Sequence, residues 1–151
     1  MELPEIGQLA PNFTGITDEN TELQLSDLRG NVVVLFFYPR AYTPGCTKEV
    51  CSFRDNKIRL VGMGVKVVGV STDNVKRQAG FKAKHGFEYP LIADADKKIV
   101  ELYGVKRAAI GVANRVTFLI DSEGIIRHIW PKVKVSGHVD EVIAKILELN
   151  L

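Results

Sequence analysis

The sequence predicts a layered α/β fold, and three observations carry that prediction. Short, continuous apolar runs alternate along the chain with segments of helical periodicity, and Val32-Val33-Val34-Leu35-Phe36-Phe37-Tyr38 is the leading example of such a run. No repeat, low-complexity stretch or charge block marks a linker or a second domain. The 151 residues suit one domain, so 1–151 is read as a single unit. Runs apolar throughout belong to strands covered on both faces, and helices between them supply the cover through right-handed crossovers.

Each element follows in order. Phe13 to Thr17 and Glu22 to Leu25 flank Asp18-Glu19-Asn20, whose side chains favour a turn, so the pair reads as a small hairpin. Val32 to Tyr38 is the first long strand, rich in β-branched and aromatic residues. Thr47 to about Val61 reads as a helix with Val50, Phe53, Ile58 and Val61 on one side. Val65 to Val70 is a second buried strand. Asp73 is placed as the N-cap of a helix over Asn74 to His85, with Gly86 as its stop. Asp96 to Tyr103 is a shorter helix closed by Gly104. Val116 to Ile120, the turn Asp121-Ser122-Glu123-Gly124 and Ile125 to Trp130 form a hairpin, with Trp130 expected in the core. His138 to Leu149 carries Val139, Val142, Ile143, Ile146 and Leu147 at helical spacing. This order is compatible with a thioredoxin-like core, a central mixed sheet flanked by helices, behind an N-terminal β-hairpin extension. Other small α/β folds share the pattern.

Composition narrows the function. The chain is 46% hydrophobic and 25% charged, with a net charge of +2, too small to point to nucleic acid or a membrane surface as partner. No apolar run approaches the ~20 residues needed to cross a bilayer. The start, Met1-Glu2-Leu3-Pro4-Glu5, lacks the basic and apolar regions of a signal peptide, which predicts a cytoplasmic location. Two cysteines occur, Cys46 and Cys51, and in a reducing compartment they are more readily catalytic than a staple. Together with His85, His128 and His138 they make no zinc or iron–sulfur ligand pattern, so no metal is expected. The histidines read as surface or packing residues.

The informative segment is Tyr38-Pro39-Arg40-Ala41-Tyr42-Thr43-Pro44-Gly45-Cys46-Thr47-Lys48-Glu49-Val50-Cys51. It joins the first long strand to a helix, and ligands in open α/β sheets gather at such strand ends. Pro39, Pro44 and Gly45 punctuate the connection and put Cys46 in the first helical turn. Unpaired backbone N–H groups and the helix dipole favour an anion there, and hence a thiolate over a thiol. The plain alternative is a small buried cysteine. Cys51 lies five residues on. In an intact helix the two Cα atoms stand roughly 8–9 Å apart, beyond the ~7 Å limit of a disulfide, so a bond between them requires local unwinding. A core cysteine facing inward is the other reading of Cys51. Glu49 suits a partner for an arginine and, nearly as well, a solvated helical position.

Pro39-x-x-x-Thr43-x-x-Cys46 resembles the active-site motif of the peroxiredoxins. The longer run from Phe37 to Thr47, with Cys51, is similar to the bacterioferritin-comigratory-protein or PrxQ subfamily, of the atypical two-cysteine type. The likeness extends through Gly7 to Phe13, Ser71-Thr72-Asp73, Pro90 to Asp94 and Arg115 to Asp121. The resemblance implies a thioredoxin-like fold and a thiol peroxidase acting on hydrogen peroxide and small organic hydroperoxides. It implies that Cys46 attacks the peroxide and becomes a sulfenic acid, a step on the known ladder of thiol oxidation. Thr43 would position thiolate and peroxide, Pro39 would shield the sulfur, and Arg115 would supply positive charge. Cys51 would resolve the sulfenic acid as a disulfide, and a thioredoxin- or glutaredoxin-like reductant would restore both thiols without a cofactor. Monomers are common among relatives of this kind. The stretch Val105 to Arg115 is shorter than is usual in the subfamily and lies beside the presumed pocket, where it bears on peroxide preference and subunit contacts. Two other readings are carried forward, a thiol–disulfide oxidoreductase and a redox sensor. The first is disfavoured because the cysteine pair is not C-x-x-C.

Overall fold

The computed structural model describes residues 2–151. The chain opens with an antiparallel hairpin of β1 (Thr14–Ile16) and β2 (Glu22–Gln24), followed by a 3₁₀ turn at Leu25–Leu28. The main sheet contains β3 (Val32–Phe37), β4 (Val65–Ser71), β5 (Leu91–Ala93), β6 (Val116–Ile120) and β7 (Ile126–Trp130). Around it lie α1 (Pro44–Asp55), α2 (Lys57–Gly62), α3 (Val75–His85), α4 (Lys98–Leu102) and α5 (His138–Glu148). The strand order is β5-β4-β3-β6-β7, with β3 parallel to β4 and antiparallel to β6. This is the predicted thioredoxin-like arrangement, with the hairpin added at the N-terminus.

β3 explains why both faces need cover. Its residues alternate between two cores, as the two-residue period of a strand requires. Val34 and Phe36, continued by Tyr38, pack with Val50 and Phe53 of α1, Phe81 of α3, and Val142 and Ile146 of α5. Val33, Leu35 and Phe37 pack on the opposite side with Phe13, Ile99, Val100, Tyr103 and Phe118. The hairpin reaches this second core through Leu23, which packs against it. Gly15 is required there, because a Cβ would stand 2.7 Å from Ile92 Cγ2.

Register then sets the site. The carboxyl ends of β3 and β4 lie side by side, and Tyr38 N donates to Val70 O at 3.0 Å. Because β6 runs the other way, Phe37 at the end of β3 faces Val116 at the start of β6. The residue before Val116 is Arg115. An antiparallel neighbour thus delivers a residue remote in sequence to the end of the strand that leads into α1.

Four expectations are revised. The helix foreseen from Thr47 to Val61 starts at Pro44 and breaks at Asn56, whose side chain donates back to Ser52 O at 2.8 Å. The break resets the helical phase, so Leu60 is buried while Ile58, 89% exposed, and Val61 turn outward. Asn74, not Asp73, caps α3 by accepting from Arg77 N. β5, whose three residues are too few to show a period, adds an edge strand that the sequence did not reveal. Trp130 is only partly buried, at the margin of the core, with its ring edge-on to His138 at 5.4 Å. Among the described residues, no helix is long and apolar enough to cross a membrane.

Candidate active site

Thr43 occupies the N-cap position of α1 in an extended conformation, with Pro44 as the first helical residue. Proline is pre-organised for that position, where its missing N–H costs nothing. The first intrahelical bond runs from Thr47 N to Thr43 O at 2.9 Å. The amides of Gly45 and Cys46 precede it and point out of the helix end, where partial positive charge collects. Cys46 is 1% exposed and lies within the core cluster beneath the sheet's carboxyl edge.

Arg115 arrives from the start of β6. Its Nη2 donates toward Cys46 Sγ at 3.5 Å, and its Nη1 donates to Glu49 Oε1 at 2.8 Å. Cys46 and Glu49 are three residues apart, so they share one face of α1 and one guanidinium spans both. Gly45 matters for this approach, since a Cβ would stand 3.1 Å from Arg115 Nη2. Glu49 is buried, and among the described residues its Oε2 has no hydrogen-bond partner. Burial pushes its carboxyl up to about 7, against the opposing pull of the Arg115 charge and hydrogen bond. Sequence reasoning left Glu49 undecided. The available signal was a charged residue inside the otherwise apolar stripe of Cys46, Val50 and Phe53.

The structure brings Cys46 and Arg115 together. Thr43 Oγ1 donates to Arg40 O at 2.8 Å, which leaves the hydroxyl's lone pairs to accept. Pro39, half-buried, follows the end of β3. Cys51 is half-buried on the same unbroken helix, and both cysteines are free thiols. The continuous helix keeps their Cα atoms at the roughly 8–9 Å that forbids a disulfide. Tyr89 Oη also donates to Val50 O at 2.7 Å, at the peptide that leads into Cys51.

The histidines stay out of the reacting centre. His138 is buried, with Nε2 bonded to Thr117 Oγ1 at 2.9 Å. Burial, with a smaller contribution from the Arg115 charge, pushes it down to about 4. Its neutral ring therefore makes no ion pair with Glu141, 4.0 Å away. Among the described residues, no group of three or more His, Cys, Asp or Glu side chains is placed to hold a metal.

Geometry thus puts a buried thiol at a helix start with a guanidinium 3.5 Å from its sulfur, and comparison with known proteins gives the class. A profile of the AhpC/TSA family matches residues 6–129, so the chain belongs to the AhpC/TSA family and is a peroxiredoxin, a thiol-dependent peroxidase. Its relatives place it among the Bcp and PrxQ proteins. It is 48% identical to a putative peroxiredoxin Bcp of Coxiella burnetii, over 94% of this chain and 98% of that one. It is 37% identical to peroxiredoxin Bcp of Bacillus subtilis, over 97% of each. Among solved structures it is similar to a Xylella fastidiosa PrxQ variant, with a TM-score of 0.92 and 31% identity, covering 100% of this chain and 99% of that one. A bacterioferritin comigratory protein of Xanthomonas campestris, studied for alkyl peroxide reduction in trapped intermediate and ligand complexes, has a TM-score of 0.86 and 33% identity, with 92% of each chain covered.

Proposed function

We propose that this peroxiredoxin reduces hydrogen peroxide and small organic hydroperoxides at Cys46, with Cys51 as the resolving thiol. The observation that carries the reading is the 3.5 Å approach of Arg115 Nη2 to Cys46 Sγ at the start of α1. The Cys46 thiolate attacks one peroxide oxygen, so an S–O bond forms as the O–O bond breaks. The electron pair leaves on the distal oxygen, which takes up a proton and departs as water or an alcohol. Negative charge moves from sulfur to the leaving oxygen, and a fixed guanidinium stabilises that movement at no cost of reorganisation. The free lone pairs of the Thr43 hydroxyl suit the peroxide O–H, and Pro39 limits water at the sulfur.

Cys51 then attacks the sulfenic sulfur, releasing water and forming the Cys46–Cys51 disulfide. A dithiol of thioredoxin or glutaredoxin type reduces that bond by exchange, so electrons pass through sulfur alone and no cofactor is called for. The alkyl peroxide activity described for the Xanthomonas protein supports organic hydroperoxides as substrates. Two cysteines with no wider disulfide framework suit a reducing compartment, and we place the enzyme in the cytoplasm, acting as a monomer.

The test compares Cys46→Ser with Cys51→Ser. The first should lose peroxide consumption entirely. The second should oxidise once and hold a sulfenic acid that dimedone traps on Cys46. Full peroxide turnover by Cys46→Ser would sink the assignment.

A further inference from the structure

The connection between β3 and α1 is held by α3 and by the residues that lead into it. Asp73, nearly buried, accepts three hydrogen bonds. They come from Ala41 N at 2.7 Å, Ser71 Oγ at 2.6 Å and Arg77 Nε at 2.8 Å. Arg77 Nη2 in turn donates to Ala41 O at 3.2 Å, so both backbone groups of Ala41 are fixed by one ion pair. Ser71 Oγ receives Gln78 Nε2 at 2.9 Å, and Gln78 Oε1 receives the Tyr38 hydroxyl at 2.5 Å. The same buried network therefore grips the loop at both Tyr38 and Ala41.

Tyr42 completes the attachment. Its backbone lies in the left-handed region at φ 69°, which costs a non-glycine residue about 1–3 kcal/mol and persists only where the surroundings over-determine it. Its ring rests on α3, with the Arg77 guanidinium 5.2 Å and the Phe81 ring 5.3 Å from its centroid. The hydroxyl enters a notch at Gly80, where a Cβ would collide with it. The next residue is Thr43, and Thr43 Oγ1 donates to Arg40 O, so Arg40 to Thr43 close into one turn anchored at Ala41.

We propose that Asp73 is a positioning residue for the peroxide step, acting through Ala41 to set where Thr43 stands relative to Cys46, with Arg77 and the Gly80 notch for Tyr42 completing the latch. The inference rests on the functional reading given above for Cys46 and Thr43. Charge-assisted bonds to a buried carboxylate are about twice as strong as neutral ones, which suits a clamp on a strained loop. A displacement of about 1 Å at a reacting centre can cost about a hundredfold in rate. The latch touches neither cysteine, so it acts on peroxide geometry and not on the thiolate itself.

The experiment measures single-turnover oxidation by hydrogen peroxide and alkylation by iodoacetamide in a Cys51→Ser background, where Cys46 is the sole thiol. Asp73→Ala should slow the peroxide reaction about tenfold or more and leave alkylation within about twofold, with Asp73→Asn recovering part of the loss. Loss of fold would instead move both reactions. A peroxide rate within about twofold of the parent, or an equal change in both reactions, overturns the proposal. Should Asp73→Ala fail to fold, Gly80→Ala decides. Alanine favours the helix by about 1 kcal/mol over glycine, yet its Cβ forces the Tyr42 hydroxyl to shift out of the notch. Unchanged or raised Tm with a several-fold slower peroxide reaction supports the latch, and the parent's peroxide rate overturns it. If the parent itself consumes no more peroxide than Cys46→Ser, the functional reading fails. A reactive parent indifferent to Asp73 removes the latch alone.

Discussion

At the scale of single residues, one cation serves two acidic groups. Arg115 reaches Cys46 Sγ and Glu49 Oε1 with different nitrogens of a planar fork, a division that the single ammonium of lysine cannot reproduce. Burial makes the ionised form of Glu49 expensive, and its carboxyl is pushed from the ordinary 4.5 up to about 7. The sign follows by linkage. Below about pH 4.5 the carboxyl is protonated folded and unfolded alike and changes nothing. Between 4.5 and about 7 the folded chain keeps a proton that the unfolded chain has released, so stability falls as pH rises. Glu49→Gln removes that loss, and its Tm should gain on the native chain's as pH rises from about 5 to about 8, the two running parallel below about pH 4. Thermal melts across that range check it. A constant difference would mean that the Glu49–Arg115 pair is ionised throughout.

At the scale of elements, α1 holds the two cysteines apart and must yield for them to join. Its later half is secured firmly. Phe53 stacks on Phe36 at 4.7 Å, and Arg54 Nη1 donates to His85 O at 2.6 Å. The first turns place Cys46, Glu49 and Val50 in the core, while Gly45 and Lys48 are exposed. The break at Asn56 separates α1 from α2, so movement of the first turns need not travel onward. The prediction is that peroxide oxidation speeds amide exchange over residues 46 to 51 and leaves β3 protected. Equal protection in the reduced and oxidised chains would show that no melting occurs. Tyr89 provides a second handle through its bond to Val50 O. A hydrogen bond contributes about 1 kcal/mol net, so Tyr89→Phe should quicken disulfide formation a few-fold after the sulfenic acid has formed. Stopped-flow traces that resolve the second phase measure this.

At the scale of the whole molecule, site and core are one construction. Phe36, next to last in the central strand, touches Phe53, Tyr38 and Tyr89 on the face that carries Cys46. Gly69 on β4 leaves room for it, since a Cβ there would stand 2.8 Å from Phe36 Cζ. Truncation at this position opens a cavity beneath the reactive helix. Phe36→Ala should lose about 3–5 kcal/mol of unfolding free energy in urea titration, read as a lower midpoint at unchanged slope. The same variant should loosen α1, because Phe53 then has no stacking partner on the sheet.

The sequence by itself determined the alternation of strands and helices, the three long strands, the position of Cys46 at a helix start and the geometric bar to a Cys46–Cys51 bond within that helix. These depend on neighbours within a few residues, through apolar periodicity, proline and glycine placement and helical rise. The motif around Pro39, Thr43 and Cys46 was legible for the same reason, since it is contiguous. Arg115 was one of 20 basic residues and stood out only through family likeness. What brings it to Cys46 is the antiparallel register of Phe37 against Val116. Glu49 offered two readings of nearly equal weight until burial and the guanidinium chose between them. β5, the break at Asn56 and the capture of Ala41 by Asp73 lie in the same category. Local propensity acts along the chain and can be read there, whereas burial and charge pairing are set by partners that only the folded sheet brings within reach.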